Sequence, residues 1–229
     1  MFAKPYEINK FWWLWIPALF MVIQIILEMS LDPAVLSQLH SENGPHELLQ
    51  FAAISSAFVI ALWTLFQMDK KKWPKWLRVW LFVACAGCFY VAGEEISWGQ
   101  HFMDWTTPEF WAAVNDQKEI NFHNTSSWLD QKPRILLEIG VLTGGLIIPL
   151  LRKYKQGFLP DQFAVIYPPA VLAVIAGTLV VLKILDEVSG AMHIILFERI
   201  SEVEEVYLYY FIFLYLLVLK WRIRGAAYS

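Results

Sequence analysis

The chain has 229 residues and 58% of them are hydrophobic, with 12 Trp and 16 Phe, above the roughly 45–50% apolar share of a soluble domain. Its 18 Lys and Arg stand against 21 Asp and Glu, a formal charge of -3, and its lysine clusters are short, which argues against a nucleic-acid-binding surface. The only cysteines, Cys85 and Cys88, sit three apart in one apolar run, which excludes a disulfide framework.

Six segments are long and apolar enough to cross a hydrocarbon core that takes about 20 helical residues. They lie near 11–30, 46–68, 76–98, 133–151, 162–185 and 202–221. The pattern predicts an all-α polytopic bundle of six transmembrane helices forming one integral membrane domain over 1–229. The first apolar segment has no small-residue cleavage site after it and is expected to stay as a membrane helix. The stretch 186–201 is apolar at Ile194-Ile195-Leu196-Phe197 but too short to span. In the long region 99–132, Thr107-Pro108-Glu109 predicts an N-cap, a proline at N1 and an acid in the first turn of a short helix over 108–115. Phe110, Trp111, Trp105 and Trp128 would seat that helix at the membrane interface.

Lys and Arg gather in alternate water-facing regions: Lys4 and Lys10, then Lys70 to Arg78, then Arg152 to Lys155, then Lys220 to Arg224. The positive-inside rule therefore predicts both termini in the cytoplasm. Most acids and all five histidines, His40, His46, His101, His123 and His193, fall on the other, outer side. Every predicted helix brings an ionisable group to its outer end: Glu28, then His46 and Glu47, Glu94 and Glu95, Glu138, Lys183 with Asp186 and Glu187, and Glu202 with Glu204 and Glu205. Ionisable groups in membrane helices face the bundle interior or a wet cavity, so the expected shape is a bowl open to the outside.

The densest polar run is Gly93-Glu94-Glu95-Ile96-Ser97-Trp98-Gly99-Gln100-His101. If the helix continues through Gly99, then Glu94, Trp98 and His101 share one face. Glu198, Glu202 and Glu205 repeat the same spacing near Arg199. Carboxylates this close repel one another and call for a metal ion, a basic partner or a proton. Glu94, His101 and His123 are the leading ligand set for a divalent metal, with Glu202, Glu205, His193 and His46 second. Carboxylate with imidazole suits zinc, manganese or iron, and carboxylates alone suit calcium or magnesium. Glu94, Glu95, Ser97, His101 and His123 are the catalytic candidates. Trp98, Gln100, Asn121 and Asn124 would orient substrate. His40 reads as a bystander in a loop, and Lys183 as a counter-ion for Asp186 or Glu187.

Familiar motifs are absent. His46-Glu47-Leu48-Leu49-Gln50 begins like a zinc-protease helix but has Gln50 where the second histidine belongs. No Gly-x-Ser-x-Gly elbow or phosphate-cradling glycine loop occurs. Cys85 and Cys88 lack a second cysteine pair for thiol exchange and read as small packing residues. The run Glu94-Glu95-Ile96-Ser97-Trp98-Gly99-Gln100, followed by Asn115-x-Gln117-x-Glu119-x-Asn121-x-His123-Asn124, resembles a pattern carried by uncharacterised bacterial multi-pass membrane proteins. The resemblance implies an inner-membrane protein and supplies no catalytic assignment. A looser, fold-level likeness is to membrane hydrolases of the alkaline-ceramidase type, which set Ser, Asp and three His around a metal on seven helices.

Three function classes follow. The first is a metal-dependent, membrane-embedded hydrolase or transferase acting on a lipid or lipid-linked substrate. The second is a cation- or proton-coupled transporter or channel, which needs ionisable groups through the membrane; the inner helix halves offer little beyond Gln24. The third is a structural or assembly subunit whose outer loop, with Trp105, Trp111 and Trp128, docks a membrane-protein partner.

Overall fold

The computed structural model describes residues 8–225 except 41–43, 70, 104, 116–117, 123–124 and 126, and only the backbone of 101 and 127–133. The described chain is all helix and turn. Five helices are long and apolar enough to cross a membrane: Phe11–Ser30, Pro45–Gln67, Lys75–Glu95, Arg134–Tyr154 and Ile200–Gly225.

The first opens as a π-turn, Phe11–Trp15, and continues as α1, Ile16–Ser30. A short α2, Pro33–Leu39, leads to α3, Pro45–Gln67. Both start with proline at the first helical position, where the missing N–H costs nothing. α4 runs Lys75–Glu95, followed by a 3₁₀ turn at Ser97–Gly99 and two short helices, α5 (Gln100–Met103) and α6 (Glu109–Val114). The fourth crossing is α7 (Ser127–Leu142), a π-turn at Thr143–Ile147, and α8 (Ile148–Tyr154).

The fifth apolar segment is not one helix over 162–185. It begins as a 3₁₀ turn at Asp161–Ile166, is broken at Pro168-Pro169, and becomes α9 only over Ala173–Met192. Proline removes a donor and pushes the residue before it out of helical geometry. α9 then runs past Asp186 and Glu187 and stops where His193 turns left-handed (φ 54°). Thus 186–192 is helix, and 193–199 is the turn before α10, Ile200–Gly225. Lys183, Asp186 and Glu187 fall so that every 18-residue stretch of α9 holds three charges, whereas each of the five spanning helices has such a stretch with at most two.

α10 is the most buried of the spanning helices. It packs against α3 and α9, and α3 packs against α4. Leu208, Leu214, Leu216 and Leu219 fill the centre with Ile54, Leu81 and Ile175. The outward faces of the other helices stay apolar, with Leu19, Ile26, Val59, Phe66, Phe82 and Leu150 exposed, as expected of surfaces solvated by lipid chains. The π-turn at Gly144-Gly145 lets helices close together: a Cβ on Gly145 would lie 2.5 Å from the Ala176 Cβ and 2.8 Å from the Phe211 ring. At the lysine-rich end, Arg222 Nη1 donates to the Val165 (3.0 Å) and Tyr167 (2.5 Å) carbonyls, tying the 161–172 segment to α10.

Candidate functional site

The helix bearing the polar run stops at Glu95, not at 98, so Glu94, Trp98 and His101 do not share one helical face. Ser97 (φ 45°), Trp98 (φ 55°) and Gly99 (φ 99°) are all left-handed, a conformation that costs a non-glycine residue about 1–2 kcal/mol. A bonded knot holds them there. The Trp98 indole N–H folds back to Glu94 Oε1 at 2.7 Å, and Glu94 Oε2 accepts the Phe122 N–H at 2.7 Å. Gly93 makes room for the ring, since a Cβ there would sit 2.8 Å from it. Ser97 donates to Glu119 Oε2 at 2.5 Å, and Asn121 Nδ2 donates to both Ser97 Oγ (2.8 Å) and Glu119 (2.7 Å). Asn115 Nδ2 donates in turn to Asn121 Oδ1 at 2.7 Å.

Ser97 and Asn121 are fully buried. Gln100 bridges Thr107 and the Ile120 N–H. Thr107 therefore does not cap the next helix; its hydroxyl donates to the Lys118 carbonyl, and Glu109–Val114 starts after Pro108. Of the predicted site, Glu94, Ser97, Trp98, Gln100 and Asn121 come together as the fastening between α4 and the 115–122 loop. His123 and Asn124 lie outside the described residues, as does the side chain of His101.

Glu95, one residue on, belongs to a different cluster. Successive helical residues differ by about 100° at 3.6 residues per turn, so it faces α10, where the Tyr209 hydroxyl donates to its Oε1 at 2.8 Å. Its charged neighbours are Glu205, Glu47 and Glu202. Arg134 of α7 joins three carboxylates: Nε to Glu138 (3.0 Å), Nη1 to Glu205 (2.9 Å) and Nη2 to Glu204 (2.7 Å). Lys183 does not pair with Asp186 or Glu187; its Nζ lies 2.9 Å from Glu138 and 3.2 Å from Glu204. Gln50 donates to the Glu202 carboxylate at 3.1 Å. Glu198 falls in the turn before α10, off the Glu202–Glu205 helix.

Below this cluster lies a cavity of about 600 Å³ between α4, α7 and α10, within the size range of ligand pockets. Val91, Ile212 and Leu136 line it, each within about a turn of Glu95, Tyr209 or Arg134. Trp80 and Ile148 line it toward the lysine-rich end. Gly87 and Gly140 also line it, and a Cβ on either would meet nothing within 4 Å. The cavity is an apolar groove, and the cluster itself does not line it but lies within about a turn of one end along α4, α7 and α10. Cys88 lines it, Cys85 is buried in the core, and both are free thiols.

A third polar group ties α1, α2 and α3. Gln24 is 1% exposed; its Nε2 lies 2.8 Å from Glu28 Oε1 and 3.2 Å from His40 Nε2, and its Oε1 lies 2.8 Å from His46 Nε2. His46 Nδ1 faces the Leu39 carbonyl at 3.3 Å. His40, expected to be a bystander, is buried, stacks on His46 with ring centroids 4.1 Å apart, and has its carbonyl held by Arg199 at 2.6 Å. Burial, the His46 charge and the Arg199 charge push His40 down to about 4.

His46 thus sits away from the Glu94 knot, and His193 is exposed at the end of α9. Glu202 and Glu205 lie in the Glu95 cluster. Among the described residues no group of three or more His, Cys, Asp or Glu side chains is arranged to hold a metal ion.

Sequence reasoning missed Arg134, Tyr209 and His40. Arg134 carried one signal, a lone cation four residues before Glu138 at the start of an apolar helix. Tyr209 carried none beyond one of several aromatic rings on its helix. The chain matches no family model, no curated protein and no solved structure.

Proposed function

We propose that this chain is a membrane-embedded hydrolase or transferase of the bacterial inner membrane, acting on a lipid or lipid-linked substrate. The observation that carries the reading is an apolar groove between α4, α7 and α10 whose lining residues Val91, Ile212 and Leu136 lie within about a turn of the bonded Glu95–Tyr209 pair and Arg134. A lipid can enter such a groove sideways with its chain solvated throughout, while its head group meets charged groups where water is scarce and electrostatics are strong. Glu95 is partly exposed and held by one hydroxyl, which suits a general base. The reading needs no metal step. Glu94, the described member of the expected ligand set, has both oxygens committed to N–H donors.

In this reading α9 is the fifth of six crossings. Both termini are cytoplasmic, the carboxylate-rich end faces outward, and the Glu109–Val114 helix rests at the outer interface with Phe110 turned to lipid. The hydrogen bonds linking α1, α3, α4, α7, α9 and α10 at one end agree with an up-and-down bundle. Orientation is tested by maleimide labelling of intact cells. Lys118→Cys is expected to label from outside and Lys71→Cys only after lysis, on a Cys85→Ala/Cys88→Ala background; the reverse would invert the topology.

Function is tested by incubating the purified chain with bacterial membrane lipids and following species by mass spectrometry. A lipid consumed by the wild type is expected to be spared by Glu95→Gln and by Gly140→Leu, which fills the groove. No lipid consumed or retained would overturn the reading.

A further inference from the structure

A second groove lies at the lysine-rich end, between the end of α3 and the start of α4. It encloses about 530 Å³, and of its seven lining residues only Lys75 and Arg78 are charged. Lys75, Arg78, Val79 and Phe82 stand at i, i+3, i+4 and i+7 and share one face of α4, with the cations at its start and the apolar pair further in. Leu65 and Phe66 of α3 form the opposite wall. Phe66, Val79 and Phe82 are 79%, 61% and 62% exposed, on helices long and apolar enough to cross a membrane.

The protein answers neither cation. Among the described residues, no group pairs with the side chain of Lys75 or of Arg78. Arg78 Nε is buried without an acceptor, and its Nη groups are neither buried nor bonded, so all five N–H donors of this guanidinium are unused. A guanidinium packed in this way is short of an acceptor. Elsewhere such cations find protein partners: Arg134 and Lys183 hold carboxylates, and Arg199 and Arg222 hold carbonyls. The first turn of α4 also carries no acid, and cations there oppose the helix dipole.

The approach to α4 discriminates among lipids. Residues 69–78 include Lys70, Lys71, Lys72, Lys75 and Arg78 against one acid, Asp69, whose Oδ1 accepts the Lys71 N–H. A zwitterionic head group would bring its ammonium among these cations, whereas an acidic one brings only negative charge.

We infer that this groove holds one acidic glycerophospholipid, with its phosphodiester against Arg78 and Lys75 and an acyl chain between α3 and α4. The guanidinium can offer two parallel N–H groups to one phosphate, and the ammonium adds a point charge. From Lys75 to Phe82 the apolar wall runs about 10 Å at 1.5 Å per residue, which a bare phosphate ion would leave uncovered. This groove shares no lining residue with the one between α4, α7 and α10, so the inference stands apart from the lipid-enzyme reading.

The test offers the purified full chain phosphatidylglycerol and phosphatidylcholine with identical acyl chains at equal concentration, and counts bound lipid by native mass spectrometry. The phosphatidylglycerol adduct is expected to exceed the other at least fivefold, and a hundredfold excess of inorganic phosphate is expected to leave it in place. Lys75→Gln/Arg78→Gln is expected to bring phosphatidylglycerol down to the level of phosphatidylcholine without lowering the latter. Lys71→Gln/Lys72→Gln removes the same charge outside the groove and is expected to keep at least a threefold preference. Gly140→Leu, which fills the other groove, is expected to leave the ratio unchanged.

Equal adducts of the two lipids on the wild-type protein, or no adduct of either, would overturn the inference. Displacement by inorganic phosphate would overturn the lipid as the ligand. An equal loss of preference in the two glutamine double variants would overturn the groove as the site, and a loss in Gly140→Leu would move the binding to the other groove. The wild-type ratio and the phosphate competition decide the matter even if a variant fails to fold.

Discussion

Glu94 and Glu95 are covalent neighbours that serve different parts of the molecule, one fastening a loop and the other facing α10, because one helical step turns a side chain by about 100°. Ser97 shows how much a single hydroxyl can hold, since it donates to Glu119 and accepts from Asn121 inside a buried knot. Ser97→Ala strips both bonds and is expected to destabilise by about 1–3 kcal/mol, the cost of leaving buried polar groups short of a partner. The measurement is a denaturant unfolding curve together with proteolysis of the 105–122 segment. An unchanged midpoint and cleavage rate would show that the knot is not holding the loop.

His40 makes a pH prediction. It faces Glu28 from α1, His46 from α3 and Arg199 from the turn before α10. Its folded value of about 4 lies below the ordinary 6.5, so the folded chain binds fewer protons there than the unfolded chain. The stability it contributes is complete above pH 6.5 and is lost as the pH falls toward about 4. Melting from pH 8 to pH 4 is expected to show a slope in that window that His40→Gln flattens. Identical slopes would remove His40 from the account.

At the scale of elements, the breaks decide the architecture. Left-handed Ser97 and Trp98 end α4 and swing the polar loop over the helix end. Pro168-Pro169 delay α9, and Gly144-Gly145 open a π-turn where α7, α9 and α10 touch. The two glycines on the same crossing, Gly140 and Gly145, behave differently by geometry. Gly145→Ala drives a methyl against Ala176 and Phe211 and is expected to cost about 1–3 kcal/mol, as overpacking does. Gly140→Ala meets open space and is expected to be neutral or stabilising by up to about 1 kcal/mol, the helix-propensity gain over glycine. Thermal unfolding of the two variants side by side checks the contrast. Equal effects would mean that helix propensity, and not the close approach, governs position 145.

At the scale of the whole molecule, Arg134 joins α7 to two consecutive carboxylates of α10, and Lys183 brings in α9. Removing the guanidinium leaves Glu204, 2% exposed, with Lys183 as its one described cation. Arg134→Met is therefore expected to cost about 3–5 kcal/mol, the penalty of breaking a buried ion pair from one side. Arg134→Lys is expected to recover only part of that, because an ammonium cannot reproduce the planar three-way fork. Unfolding in mixed micelles measures both, and full recovery by lysine would show that charge alone matters there.

The sequence by itself determined that this is a helical membrane protein, roughly where its apolar helices run, and that its carboxylates and histidines collect at one end. Those properties are additive along the chain: apolar length, a proline or a charge acts where it stands. Only the tertiary structure decided that Glu94 and Glu95 part company, that His40 is buried, that Lys183 answers Glu138 and Glu204, and that an apolar groove runs between α4, α7 and α10. Each of these depends on how helices far apart in sequence are rotated against one another. Arg134 meets Glu204 across 70 residues, and Tyr209 meets Glu95 across 114. The period of a single helix carries no information about which neighbour its polar face will meet.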